Sequence, residues 1–81
     1  MYTELLQELE LLRNKIVTIE VLDDLFNTYD WKQMGINRDL TKLTYIEGPM
    51  DKQIDLGVEL FNIGEENFIV IREINKKYWE D

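Results

Sequence analysis

The sequence predicts an α+β domain in which two N-terminal helices pack on one face of a three-stranded antiparallel sheet, in the order α-α-β-β-β. Apolar residues recur at helical spacing from residue 3 to residue 30, and the phase of that recurrence breaks once, near Thr18. Beyond about residue 40 the period changes from 3.6 to 2. The chain has 81 residues, 44% of them hydrophobic, which makes a single small domain over 1–81. A chain of this size buries only about 60% of the surface that its unfolded form exposes.

In TELLQELELLRNKI, Leu5, Leu9, Leu12 and Ile16 fall at the i, i+4, i+7, i+11 spacing of one helical stripe. Thr3 suits the N-cap, and Glu4 lies in the first turn, where the helix dipole favours a negative charge. Leu11 lies off the stripe and is expected to be exposed. Continuing the same helix would bring Glu20, Asp23 and Asn27 onto the apolar side. A second helix restarting at Thr18 as N-cap repairs this. Ile19, Leu22, Leu25, Phe26 and Tyr29 then share a face, with Glu20, Asp23, Asp24, Asn27 and Asp30 opposite. A short strand over Lys15–Val21 competes, because Ile16, Val17, Ile19 and Val21 are β-branched.

DWKQMGINRD, with Gly35, reads as a connecting loop, and Leu40–Glu47 as the first strand. Gly48-Pro49 marks a turn. Gln53–Phe61 is the clearest strand, with Ile54, Leu56, Val58 and Leu60 towards the core and Asp55, Gly57 and Glu59 on a wet, acidic side. Asn62–Asn67, with Gly64, reads as a hairpin loop longer than the tightest turns. The last strand, Phe68–Ile74, is apolar on both faces: Phe68, Val70 and Ile74 on one, Ile69 and Ile71 on the other. Three coverings compete for its second face: the tail residues Tyr78 and Trp79, a second copy in a homodimer, or a different protein.

Composition excludes much chemistry. The chain has no histidine, cysteine or serine, so Cys–His pairs, Ser–His–Asp triads, disulfides and thiolate metal sites are ruled out. The glycines at 35, 48, 57 and 64 form neither a P-loop nor a dinucleotide fingerprint. The twelve-residue calcium-loop pattern is absent, and Asp23-Asp24 and Asp51/Asp55 are weak metal candidates. The expectation is a protein that is not an enzyme and holds no cofactor and no metal. No stretch has the roughly 20 apolar residues of a membrane helix, and Met1–Lys15 is acidic where a signal peptide would be basic; a cytoplasmic location is expected.

Seventeen acids against nine bases give a net charge of −8, and residues 1–30, with seven acids and two bases, carry −5 of it. Direct nucleic-acid binding is disfavoured, because affinity for phosphates comes from Lys and Arg. The second helix is the notable feature: Glu20, Asp23 and Asp24 within one turn, continued by Asp30, with no Lys or Arg among them. Such a face is either an ordinary solvated surface or a patch for a basic partner. Trp31 and Trp79, with Tyr78, are aromatic anchors ringed by acids, as in binding hot spots.

These features predict a small acidic protein-binding protein, a stoichiometric inhibitor of a nucleic-acid-binding enzyme whose carboxylates occupy the place of phosphates. In size and charge alone the chain resembles acidic inhibitors of phages and mobile elements, such as anti-CRISPR proteins and DNA mimics, and it shares no motif with a particular family of them. The alternatives are a self-assembling structural or regulatory subunit and an immunity or antitoxin protein. The candidate partner-binding residues are Glu20, Asp23, Asp24, Asp30, Trp31, Ile69, Ile71, Tyr78 and Trp79.

Overall fold

A computed structural model describes residues 2–48 and 52–77. The element order is α1 (Tyr2–Leu12), β1 (Ile16–Thr18), α2 (Ile19–Thr28), β2 (Trp31–Ile36), β3 (Lys42–Glu47), β4 (Gln53–Ile63) and β5 (Glu66–Lys77). The class is α+β, but the expected three-stranded sheet is corrected to five antiparallel strands in the order β1-β5-β4-β3-β2. The added strands are the two edges. β1 is three residues long and lies within the segment for which helix and strand competed; both readings hold in succession, strand and then helix. β2 occupies the segment expected to be a loop. Its register shifts between Gln33 and Gly35, so the bulge hides the alternation that would have marked a strand.

α1 buries Leu5 and Leu9 completely and Leu12 in part, while Leu11 is 67% exposed. Thr3, expected as its cap, lies inside the helix. Ile16, expected on the same stripe, has left the helix and sits on β1. The chain reverses at Asn14, whose φ of 65° is a left-handed conformation that Asn tolerates well, and the Asn14 N–H donates to the Ile71 carbonyl at 2.9 Å. Thr18 then caps α2, its Oγ1 accepting from the Val21 N–H at 3.2 Å.

Both helices cover one face of the sheet. Their Leu5, Leu9, Leu22 and Phe26 join Trp31, Leu43, Tyr45, Ile54, Leu56, Val58, Ile69 and Ile71 in a single buried core. Phe26 stacks flat on Tyr45, centroids 3.7 Å apart, and meets Trp31 edge-on at 5.9 Å.

The two greasy faces of the last strand have a structural cause. Gly57 pairs with Glu73 but Val58 pairs with Ile71, so Arg72 is an extra residue on β5. A bulge of this kind moves every later side chain to the opposite face. Ile74, expected beside Phe68 and Val70, instead opposes Leu56 and packs against the core with Ile69 and Ile71. The bulge also brings Glu73 close to Gly57, where an added Cβ would lie 3.1 Å from the Glu73 Cβ.

Two further expectations are corrected. β4 and β5 extend to a two-residue turn at Gly64-Glu65, shorter than the expected loop, with Gly64 at φ 65° in the conformation such hairpins require. Asp55, expected on a wet face, is 1% exposed.

Candidate functional site

The acidic surface is built mainly on α2 and is not uniform. Glu20, Asp24 and Asp30 are exposed. Asp23, one turn from Glu20, is half-buried and held to the sheet: its Oδ1 accepts from the Tyr45 hydroxyl at 2.6 Å and from Gln33 Nε2 at 2.8 Å. Among the described residues no other donor reaches the Asp23 carboxylate. Burial first, and then the hydrogen bond to Asp23, push the Tyr45 hydroxyl well above the usual tyrosine range. Tyr45 therefore stays a neutral donor, and Asp23 has one oxygen fixed by the fold.

Asp30 stands apart. It follows the C-terminal end of α2, at the opposite end of that helix from Glu20. Its φ of 64° turns the chain into β2, and its N–H donates to the Asn27 carbonyl at 3.1 Å. At that same end the Tyr29 hydroxyl is raised, by burial and then by the charges of Glu8 and Glu4. Glu8 and Glu4 of α1 are therefore near the Tyr29 hydroxyl, at the C-terminal end of α2.

Two further acids join from the sheet. The hairpin tip brings Glu65 and Glu66 next to Glu20 around a cleft of about 290 Å³, lined also by Thr18, Ile19 and Asn67. They were not legible as part of the site, because more than forty residues separate them from Glu20. Gln33 and Tyr45 were missed for the same reason, since local pattern cannot reveal hydrogen bonds between distant segments.

The other candidates lie elsewhere. Trp31, Ile69 and Ile71 are each 0% exposed in the core beneath the helices. Tyr78 and Trp79 lie outside the described residues, so the covering of β5 by that tail does too.

On the opposite face of the sheet, buried Asp55 is enclosed by polar partners. Its Oδ1 accepts from Thr44 Oγ1 at 2.9 Å and from Gln53 Nε2 at 2.8 Å, and its Oδ2 ion-pairs with Lys77 Nζ at 2.9 Å, with Lys42 Nζ at 4.0 Å. Burial pushes its carboxyl up, but Gln53, Lys77 and Thr44 together outweigh that and hold it below the ordinary aspartate value. This is a folding network, fully occupied by its own lysine.

Among the described residues no three His, Cys, Asp or Glu side chains are grouped so as to hold a metal ion. No described helix is long and apolar enough to cross a membrane. No protein-family model, no curated protein and no solved structure matches the chain.

Proposed function

We propose that the chain is a protein-binding protein acting through its acidic helix layer, as a stoichiometric inhibitor that fills the basic groove of a nucleic-acid-binding enzyme. The segregation of charge carries this reading: seven acids and two bases lie in residues 1–30, from which both helices are drawn, against ten acids and seven bases in the remaining chain. Carboxylates on one layer present a field that steers a basic surface into contact. Asp23, fixed by Tyr45 and Gln33, gives that surface a pre-oriented oxygen anchor, which lowers the entropic cost of docking. The reading implies a cytoplasmic protein with neither catalytic residues nor a cofactor, in keeping with an anti-defence or DNA-mimic role. A basic toxin as the captured enzyme would identify it as an immunity protein.

The test is affinity capture from source-cell lysate with the wild type and with Glu20→Lys/Asp24→Lys in parallel. The expected result is a nucleic-acid enzyme held at about 0.1 M salt and released at about 1 M, as the screening length falls from roughly 10 Å to 3 Å. DNA or RNA should displace it, and its activity should fall to zero at one equivalent of inhibitor. Equal capture by the charge-reversed variant would remove the acidic helix from the mechanism.

A further inference from the structure

The sheet face turned away from the helices differs in chemistry from the rest of the molecule. Three of its exposed apolar side chains gather at one end, where β1, β5 and β4 run side by side, while Met34, 58% exposed, lies apart on the opposite edge strand β2. Register places Ile16 opposite Val70, and Phe68 opposite Phe61, with Ile63 two residues further along β4. Ile16 is 64% exposed, Ile63 59% and Phe61 39%. Phe68 is half-buried and Val70 buried between them.

Charge on this face is balanced. Strand alternation and the ion pairs place Lys32, Lys42, Arg72 and Lys77 on it, against Asp55, Glu59, Glu66 and Glu73. The Arg72–Glu59 pair, at 2.8 Å, closes across the strands beside the apolar patch. Among the described strand residues the face therefore carries four cations and four anions, Glu66 standing at its rim next to the cleft that holds Glu20, on a chain of −8. The helix layer of a second copy would repel the helix layer of the first, whereas two outer sheet faces meet without that cost.

The size is of the right order: the five strands, at about 3.3 Å per residue and about 4.8 Å apart, project to roughly 600 Å², and to more in accessible surface. A stable pairwise interface covers about 800 Å² on each partner.

We propose that this face is a homodimer interface, in which two copies pack outer sheet on outer sheet with Ile16, Phe61 and Ile63 at the contact. The occupant is a second copy of this chain, because it supplies a face equally neutral and equally apolar. The assembly would turn the two acidic helix layers outward in opposite directions, making the protein divalent. The inference stands independently of what the helix layer binds.

Sedimentation equilibrium of the full chain tests it. The expected mass is twice 9.8 kDa at about 0.1 mM protein, well above the micromolar range that interfaces of this area reach, and unchanged in about 1 M salt. Ile16→Gln/Ile63→Gln, which leaves the charge unaltered, should weaken self-association by about tenfold or more while the circular dichroism spectrum stays the same. If the double variant fails to fold, Ile63→Gln alone serves, at a position open to solvent. A monomeric wild type at 0.1 mM would overturn the proposal and leave the face to a different partner. It would also be overturned by a dimer that the Gln variants leave intact, or by one that dissociates in salt.

Discussion

The Tyr45 hydroxyl donates a 2.6 Å hydrogen bond to Asp23 Oδ1, joining the acidic surface of α2 to the middle of β3. Tyr45 also stacks on Phe26, one turn along from Asp23, so a single buried ring supports both the apolar and the polar side of the helix. The candidate site and the core are mechanically continuous at this point.

Tyr45→Phe keeps the stack and removes the donor. A hydrogen bond to a charged group contributes about 1.5–3 kcal/mol, and Gln33 still holds the same oxygen, so a loss near the lower end is expected in urea denaturation. No change in midpoint would show that Asp23 is held by Gln33 alone.

Alkaline pH tests the same residue from the other side. The Tyr45 hydroxyl titrates above its unfolded value of 10.0, so above that pH the unfolded state releases a proton that the native state keeps. The stability due to Tyr45 is complete below pH 10 and declines as pH rises beyond it. Tyr45→Phe should flatten that part of a stability–pH curve.

Asp55 gives the opposite dependence. Its folded carboxyl lies below the ordinary value of 3.8, so below that pH the unfolded chain takes up protons first. Its contribution is complete above 3.8 and is lost as pH falls. Asp55→Asn removes the buried charge that Lys77 meets at 2.9 Å and should cost about 1–3 kcal/mol at neutral pH, while reducing the acid-side loss. An Asn variant as stable as the wild type would mean that the carboxylate only offsets its own burial.

Charge reversal on the exposed surface separates binding from folding. Glu20→Lys/Asp24→Lys changes two solvated side chains and replaces one like-charge i, i+4 pair with another, so thermal stability should shift by no more than about 0.5 kcal/mol. A folded variant with tenfold weaker capture of the partner is the expected result. An unfolded one would show these acids to be structural.

Aspartate scanning of the last strand separates core from surface. Ile71→Asp puts a charge at a 0% exposed position and should cost more than about 4 kcal/mol, enough to unfold a domain of this size. Ile16→Asp, on the neighbouring strand at 64% exposure, should leave the monomer folded. A folded Ile71→Asp protein would contradict the placement of that side chain under the helices.

Much of the local structure was legible. The phase break at Thr18 marked the second helix, because helical period and capping are both written within a few residues. Alternation in Gln53–Phe61 marked β4 for the same reason. β2 escaped through its bulge at Met34-Gly35, and β1, three residues long, was legible only as a competing reading of Lys15–Val21. On β5, the Arg72 bulge reversed the face of Ile74, and a period of two carries no trace of which residue is the extra one.

The sequence by itself determined the class, the helix phases, the missing nucleophiles and the concentration of negative charge in residues 1–30, since each is a matter of composition or of neighbours within one turn. Tertiary structure alone decided which carboxylates are distinct. It tied Asp23 to Tyr45 and Gln33, sank Asp55 among Thr44, Gln53 and Lys77, and gathered Glu65 and Glu66 beside Glu20. The reason is that burial and pairing of a charge depend on strand register, which is fixed by packing across the whole sheet.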